Sequence, residues 1–247
     1  MPVEYGYPVL ASPAEQPYFS GTERIIKKDE EMAGTREFDI VVYGATGFTG
    51  RLVAEYLSKQ YADGSVKWAM AGRSAEKLAS VRDLIGAPAD TPLIAADASD
   101  PAALKAMVES TKVVLTTVGP YLLYGEPLVA ACAAAGTDYV DLCGEVPFMR
   151  KMIDAHSEAA KKSGARIVFS CGFDSIPFDM GVYFLQEQAK AKFGKPAPRV
   201  KGRVRAMNGT LSGGTAASGR ATFELAQKDP AMMGHLFNPY SLAPGYE

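Results

Sequence analysis

Three glycines spaced three residues apart, Gly44, Gly47 and Gly50, stand between a short apolar run and a stretch carrying Leu52, Val53, Tyr56 and Leu57 at helical spacing. A glycine triplet that follows a strand and opens a helix is the arrangement that holds a dinucleotide pyrophosphate. Gly44 would permit the tight turn, Gly47 would let the backbone approach the diphosphate, and Gly50 would let the helix lie close to the strand. The free N–H groups of this turn, that of Phe48 among them, and the positive end of the helix dipole would hold the phosphates, with Thr46 and Thr49 as hydroxyl donors. A glycine triplet can also be a plain tight turn, but strand, loop, helix and next strand follow here in order.

An NAD-specific domain usually places an acid roughly twenty residues past this loop, on the ribose 2′-hydroxyl. This chain has Ala71-Gly72-Arg73-Ser74 instead. Arg73 can make a bidentate, charge-assisted contact with a 2′-phosphate, and Ser74 can both cap the next helix and donate to that phosphate, so NADP(H) is preferred over NAD(H). The plainer reading makes Arg73 a surface residue and Ser74 a cap alone. Asp97 has two readings: it faces the adenine, or it helps to end a strand. Val118-Gly119-Pro120 closes the fourth apolar run, where the nicotinamide ribose should lie, and a close backbone approach would explain Gly119.

Hydride chemistry needs a group that supplies a proton to the developing carbanion or enolate. Tyr121 and Tyr124 follow the fourth run and Asp174 and Ser175 the sixth, so Tyr121, Tyr124 and Asp174 are the catalytic candidates. Against them stand a packing role for the tyrosines and a helix-capping role for Asp174. Asp141 and Glu145 flank Cys143 and would either wall the site or, more simply, be solvated loop carboxylates. His156 is in phase with Met149, Met152, Ile153 and Ala160 and reads as a packed helix-face residue. Lys201, Arg203 and Arg205 form a basic stripe that could attract the phosphate of a carrier-bound acyl group, or simply face solvent.

The elements that must position these residues alternate β and α from Phe38 onward. Strands are expected at 39–43, 66–71, 92–96, 113–118, 139–142 and 166–171, each nearly continuous in apolar residues as a doubly buried strand should be. Helix ends are legible in Asp100 before Pro101, in Pro127, and in Gly86, Gly136 and Gly164. Leu78, Val81 and Ile85, and likewise Leu104, Met107 and Val108, line single faces that would pack on the sheet. The expected fold is α/β, a doubly wound parallel Rossmann sheet of order 3-2-1-4-5-6, over residues 38–192.

Residues 1–37, with four prolines and a charged run, read as an extended N-terminal arm; with Met32 so close to the first strand, they read equally as an appended or mis-started extension. A helix from Pro177 to about Lys192 leads to a linker at Gly194–Pro198. Alternation of Val200, Val204 and Ala206 with the basic stripe then predicts a strand that needs partners. The glycine-rich run Gly209–Gly219 would precede one more helix at 222–227. Residues 193–247 thus read as the start of a second, incomplete α+β domain.

Composition narrows the function. With 26 basic and 28 acidic side chains, the net charge of −2 offers no field for nucleic acid. Three widely spaced cysteines without a CxxC pair, and two histidines without ligand spacing, argue against a disulfide framework and against a bound metal. No apolar run reaches the roughly 18 residues of a membrane span and no signal peptide is seen, so a cytoplasmic protein is expected, with peripheral lipid association and a homo-oligomer through the second domain left open. None of the 12 tyrosines begins the Tyr-x-x-x-Lys pair of a short-chain dehydrogenase, and the Gly-x-Ser-x-Gly elbow of a hydrolase is absent.

With these motifs placed, the chain resembles the saccharopine dehydrogenase-like oxidoreductases, particularly the trans-acting enoyl reductases of complex-lipid synthesis. The resemblance runs from about Phe38 to Tyr246 through Tyr-Gly-Ala-Thr-Gly-Phe-Thr-Gly (43–50), Ala-Gly-Arg-Ser (71–74), Val-Gly-Pro-Tyr (118–121), Tyr-Gly-Glu-Pro (124–127), Cys-Gly-Phe-Asp-Ser-Ile-Pro (171–177) and Gly209-Thr-Leu-Ser-Gly-Gly-Thr-Ala-Ala-Ser218. It implies NAD(P)-dependent reduction of an enoyl thioester on a lipid or polyketide intermediate, and members that continue well past this point. The alternative is an NADPH-binding or redox-sensing module, or an inactive fragment, without turnover.

Overall fold

The computed structural model describes residues 36–229 and 231–243. The expected arm falls almost wholly outside the described residues. Of its last residues, Arg36 is fixed: its guanidinium donates to the carbonyls of Val108 and Ala135, each at 2.8 Å.

Six strands form one all-parallel sheet: β1 (Phe38–Tyr43), β2 (Trp68–Gly72), β3 (Leu93–Ala95), β4 (Thr111–Thr116), β5 (Asp138–Asp141) and β6 (Ile167–Val168). Their spatial order is β3-β2-β1-β4-β5-β6, as the right-handed crossovers require. Alternation along the central strands sorts side chains to two cores. Val41, Tyr43, Ala69, Ala71 and Val114 face one core, shared with α3 (Pro101–Glu109), α5 (Glu126–Ala135) and α6 (Val146–Ser163). Val42, Trp68 and Met70 face the other, shared with α1 (Phe48–Gln60) and α2 (Ala75–Leu84). The short α4 (Tyr121–Tyr124) follows β4.

The helix signals read from sequence are in place. Asp100 accepts from the N–H groups of Ala102 and Ala103 at 2.9 and 3.1 Å, ahead of Pro101. Gly86, Gly136 and Gly164 follow their helices with φ of 68°, 71° and 77°. Because the Asp100 carboxylate meets two otherwise unpaired donors, Asp100→Ala should lower stability by about 1 kcal/mol in a denaturant melt.

Three expectations need correction. The outer strands are shorter than read, and β6 ends after two residues because Ser170 takes a left-handed φ of 60° and turns the chain aside. Residues 200–206 form no strand: the alternation is present, but no ladder partner stands among the described residues, and Val204 stays 56% exposed. The glycine run does not precede its helix but begins it. The helix α8 (Gly213–Lys228) is capped by Ser212, whose hydroxyl accepts from Thr215 N–H at 3.1 Å, a cap that offsets part of the roughly 1 kcal/mol that each interior glycine costs.

The described residues divide into two compact units. Arg36–Ile176 and the residues from Met207 onward make the first, in which α8 packs on α4, and α9 (Ala231–Phe237) on α6. Pro177–Ala206 makes the second, which holds nearly all of α7 (Ile176–Phe193). There the Gln186 side chain bonds both the N–H and the carbonyl of Ala197, folding the linker back on the helix. No helix among the described residues is long and apolar enough to cross a membrane.

Candidate functional site

The glycine loop is built by contacts that no side chain would allow. Gly44 leaves β1 with φ of 91°, and a Cβ there would stand 2.8 Å from both Thr117 Oγ1 and Val118 Cγ2. A Cβ on Gly50 would lie 2.2 Å from the Gly44 carbonyl oxygen, so α1 reaches its place only because Gly50 has no side chain. The Gly44 and Ala45 N–H groups donate to the Ala71 carbonyl at 2.9 and 3.1 Å, tying the turn to β2. The first intrahelical bond runs from Arg51 N–H to the Gly47 carbonyl, and Gly47 offers no side-chain cap. The amides of Phe48, Thr49 and Gly50 therefore have no partner in the helical ladder and gather at the positive end of a 13-residue helix. Thr46, Gly47 and Phe48 are exposed at this mouth. A cradle of free amides at a helix N-terminus, in a turn that excludes side chains at Gly44 and Gly50, fits a diphosphate.

At the end of β2, Arg73 is exposed, and Ser74 accepts from Lys77 N–H at 3.2 Å as the cap of α2. That bond uses an oxygen lone pair and leaves the Ser74 hydroxyl proton available to an incoming phosphate oxygen. Asp97 stands near Arg73. Its carboxyl is held below the usual range by hydrogen bonds from the hydroxyl and N–H of Ser99, with a smaller contribution from the Arg73 charge. The strand-ending reading of Asp97 is thereby visible as an Asx turn. Tyr43 feels both charges; burial and Asp97 push its phenol up to about 12, and its hydroxyl donates to the Ala96 carbonyl at 3.3 Å.

Across the switch point, Thr117 donates to the Gly44 carbonyl at 3.3 Å, and Val118 and Gly119 continue the loop into a cis Gly119–Pro120 bond. A Cβ on Gly119 would stand 3.4 Å from Ser218 Oγ of α8 and 3.6 Å from the Tyr121 ring. Thr117 and Ser218 were not singled out from the sequence; Ser218 comes from about a hundred residues on, through a helix that the glycines concealed.

The three proton-donor candidates fall in different surroundings. Tyr121 is 4% exposed, its hydroxyl donates to the Thr116 carbonyl at 3.3 Å, and burial together with Asp141 pushes its phenol far above the ordinary range. Tyr124 is 49% exposed. Asp174 is exposed in the turn before α7. Neither the Tyr124 hydroxyl nor the Asp174 carboxylate has a hydrogen-bond partner among the described residues.

The solvated-loop reading of Asp141 and Glu145 is corrected: they are 3% and 2% exposed. Asp141 accepts from the Tyr139 hydroxyl at 2.7 Å, Cys143 N–H at 2.9 Å and Ser170 N–H at 2.8 Å. Burial raises its pKa against those bonds, and the nearby Glu145 adds to the rise. Cys132 and Cys143 are buried, and burial likewise drives both thiols upward. His156 packs on the α6 face as read, beside Val129, Met152 and Ile167 at a shallow cavity, with Nε2 lacking a partner among the described residues.

Residues 40–168 match the family described as saccharopine dehydrogenase NADP binding domain. A Mycobacterium tuberculosis relative with a provisional designation as a trans-acting enoyl reductase is 50% identical over 213 residues, 86% of this chain and 50% of its own length. A trans-acting enoyl reductase of Mycobacterium leprae is 46% identical over 209 residues, 84% of this chain and 50% of that protein. The chain spans about half the length of the curated relatives it matches. Among solved structures, a saccharopine dehydrogenase (L-Glu forming) from Saccharomyces cerevisiae superposes with a TM-score of 0.50 at 19% identity, covering 62% of this chain and 32% of that one, which shows a common fold.

Proposed function

Because the chain belongs to the saccharopine dehydrogenase NADP-binding domain family, we propose that it is the cofactor-binding part of an NADPH-dependent reductase of carrier-bound enoyl thioesters. The observation that supports this most is the amide cradle at Gly44–Gly50 with Arg73 and Ser74 at the adjoining strand end. The substrate class comes from the names of the mycobacterial relatives, and the carrier-bound acyl group is the corresponding partner.

Each residue has an assigned task. The amides of Phe48, Thr49 and Gly50, with the Thr46 and Thr49 hydroxyls, hold the pyrophosphate; Arg73 and Ser74 hold the 2′-phosphate. Asp97 borders the adenine side, and Val118 and Gly119 border the nicotinamide ribose. The bound cofactor supplies a hydride, so the protein must orient the acceptor, exclude water and deliver a proton. Tyr124 and Asp174 are the proton-delivery candidates that are open to a ligand, whereas the Tyr121 hydroxyl is engaged with Thr116 inside the core. The three unpaired cysteines fit a reducing, cytoplasmic setting.

Following NADPH absorbance with a series of enoyl thioesters tests this directly. Consumption that depends on the thioester is expected. Saturable binding without consumption would leave the cofactor site standing, replace the reductase reading and favour a binding or sensing module.

A further inference from the structure

Glu145 occupies the N-cap position of α6 without capping its own helix. Its side chain instead reaches back to a segment more than twenty residues earlier: Tyr121 N–H donates to Oε1 at 2.9 Å, and Leu122 N–H to Oε2 at 2.8 Å. Both carboxylate oxygens are thus engaged, one with each of two consecutive backbone donors. The Glu145 N–H donates in turn to Cys143 Sγ at 3.2 Å, which fixes the backbone from which the side chain departs.

Burying a carboxylate is costly unless its lone pairs are met, and an exposed Ser or Asp would cap a four-residue turn without that cost. What the buried carboxylate adds is a link between two loops at the carboxyl ends of β4 and β5. The neighbouring carboxylate does not compete for the link, since Asp141 is satisfied by Tyr139, Cys143 and Ser170. Close packing reinforces it: a Cβ on Gly125 would stand 2.6 Å from the Phe148 ring, and the Tyr121 and Phe148 rings lie 5.8 Å apart. The segment immediately before the clamped N–H groups is Val118–Pro120, which lies so close to the glycine loop that a Cβ on Gly44 would stand 2.8 Å from Val118 Cγ2. A shift of Tyr121 N–H would therefore move the wall on which the nicotinamide ribose is proposed to rest.

We infer that Glu145 is a positioning residue for the nicotinamide half of the site, acting through the two N–H groups it clamps on the β4–α4 loop. The inference rests on the cofactor reading above and adds to it a residue that touches no part of the cofactor.

The test titrates the parent chain and Glu145→Gln with NADPH and with adenosine 2′,5′-bisphosphate, a probe that has the 2′-phosphate half and lacks the nicotinamide. The glutamine amide offers one acceptor to two donors. Bisphosphate affinity should stay within about twofold of the parent, while NADPH affinity falls about tenfold, the scale of one lost charge-assisted hydrogen bond. If the melting transition shows that Glu145→Gln does not fold, Glu145→Asp takes its place, with the same selective loss expected because its shorter side chain reaches only one of the donors. Equal weakening toward both ligands overturns the inference in favour of a general structural role, and unchanged binding of both overturns it outright. A parent chain that binds neither ligand overturns the cofactor reading, and this inference with it.

Discussion

Gly50→Ala should weaken NADPH binding by at least about a hundredfold, equivalent to about 2.8 kcal/mol at about 1.4 kcal/mol per tenfold. The added Cβ would meet the Gly44 carbonyl oxygen at 2.2 Å, its carbon at 2.7 Å and Thr117 Oγ1 at 2.8 Å. The first two are backbone atoms, so relief requires that the start of α1 move off the loop. That displacement separates the Phe48, Thr49 and Gly50 amides from the turn with which they form the cradle. The same overpacking should lower stability by about 1–3 kcal/mol. Gly47→Ala is the informative comparison, because its Cβ would meet only the Gly44 oxygen, at 3.3 Å. That variant should melt close to the parent and still bind NADPH less well, since the methyl group would occupy the approach to the diphosphate. Calorimetric titration with parallel thermal melts separates the two effects, and a Gly50→Ala chain with parental affinity would refute the account of the loop.

Arg73→Ala should cost NADPH about ten- to a hundredfold in affinity, the range of one bidentate charge-assisted contact, while NADH affinity changes little. The selectivity follows from where the charge sits. Arg73 is exposed at the end of β2 and is bonded to no described residue, so its removal leaves the fold intact. Arg73 directly follows β2, and Asp97 and Tyr43 feel its charge. The measurement is the ratio of NADPH to NADH affinity, before and after substitution. A ratio that does not move removes Arg73 from the 2′-phosphate site; equal losses for both cofactors would assign it to a part they have in common.

The sheet and its glycine loop were legible because their signals are local. Doubly buried strands read as short apolar runs, and several helix ends carry their own signal, Asp100 and Gly136 being plain cases. The buried carboxylates were not legible. Asp141 and Glu145 flank a glycine and a cysteine in a loop, a setting where acids are normally solvated. Their partners Tyr121, Leu122 and Ser170 lie more than twenty residues away in sequence, and only the parallel sheet brings them together. The basic stripe at Lys201, Arg203 and Arg205 misled in the opposite sense: alternation gives a strand only where a ladder awaits it. Ser170 ended β6 early through a backbone conformation that its residue type does not announce. In α8, composition outvoted position, since glycine content hid a helix whose start Ser212 marks.

The central claim is that the amides opening α1 and the Arg73 side chain together hold a phosphorylated dinucleotide. Isothermal titration of the chain with NADPH and with NADH measures this most directly. A single saturable site, tighter for NADPH, is the expected result; the absence of saturable heat with both dinucleotides would contradict it.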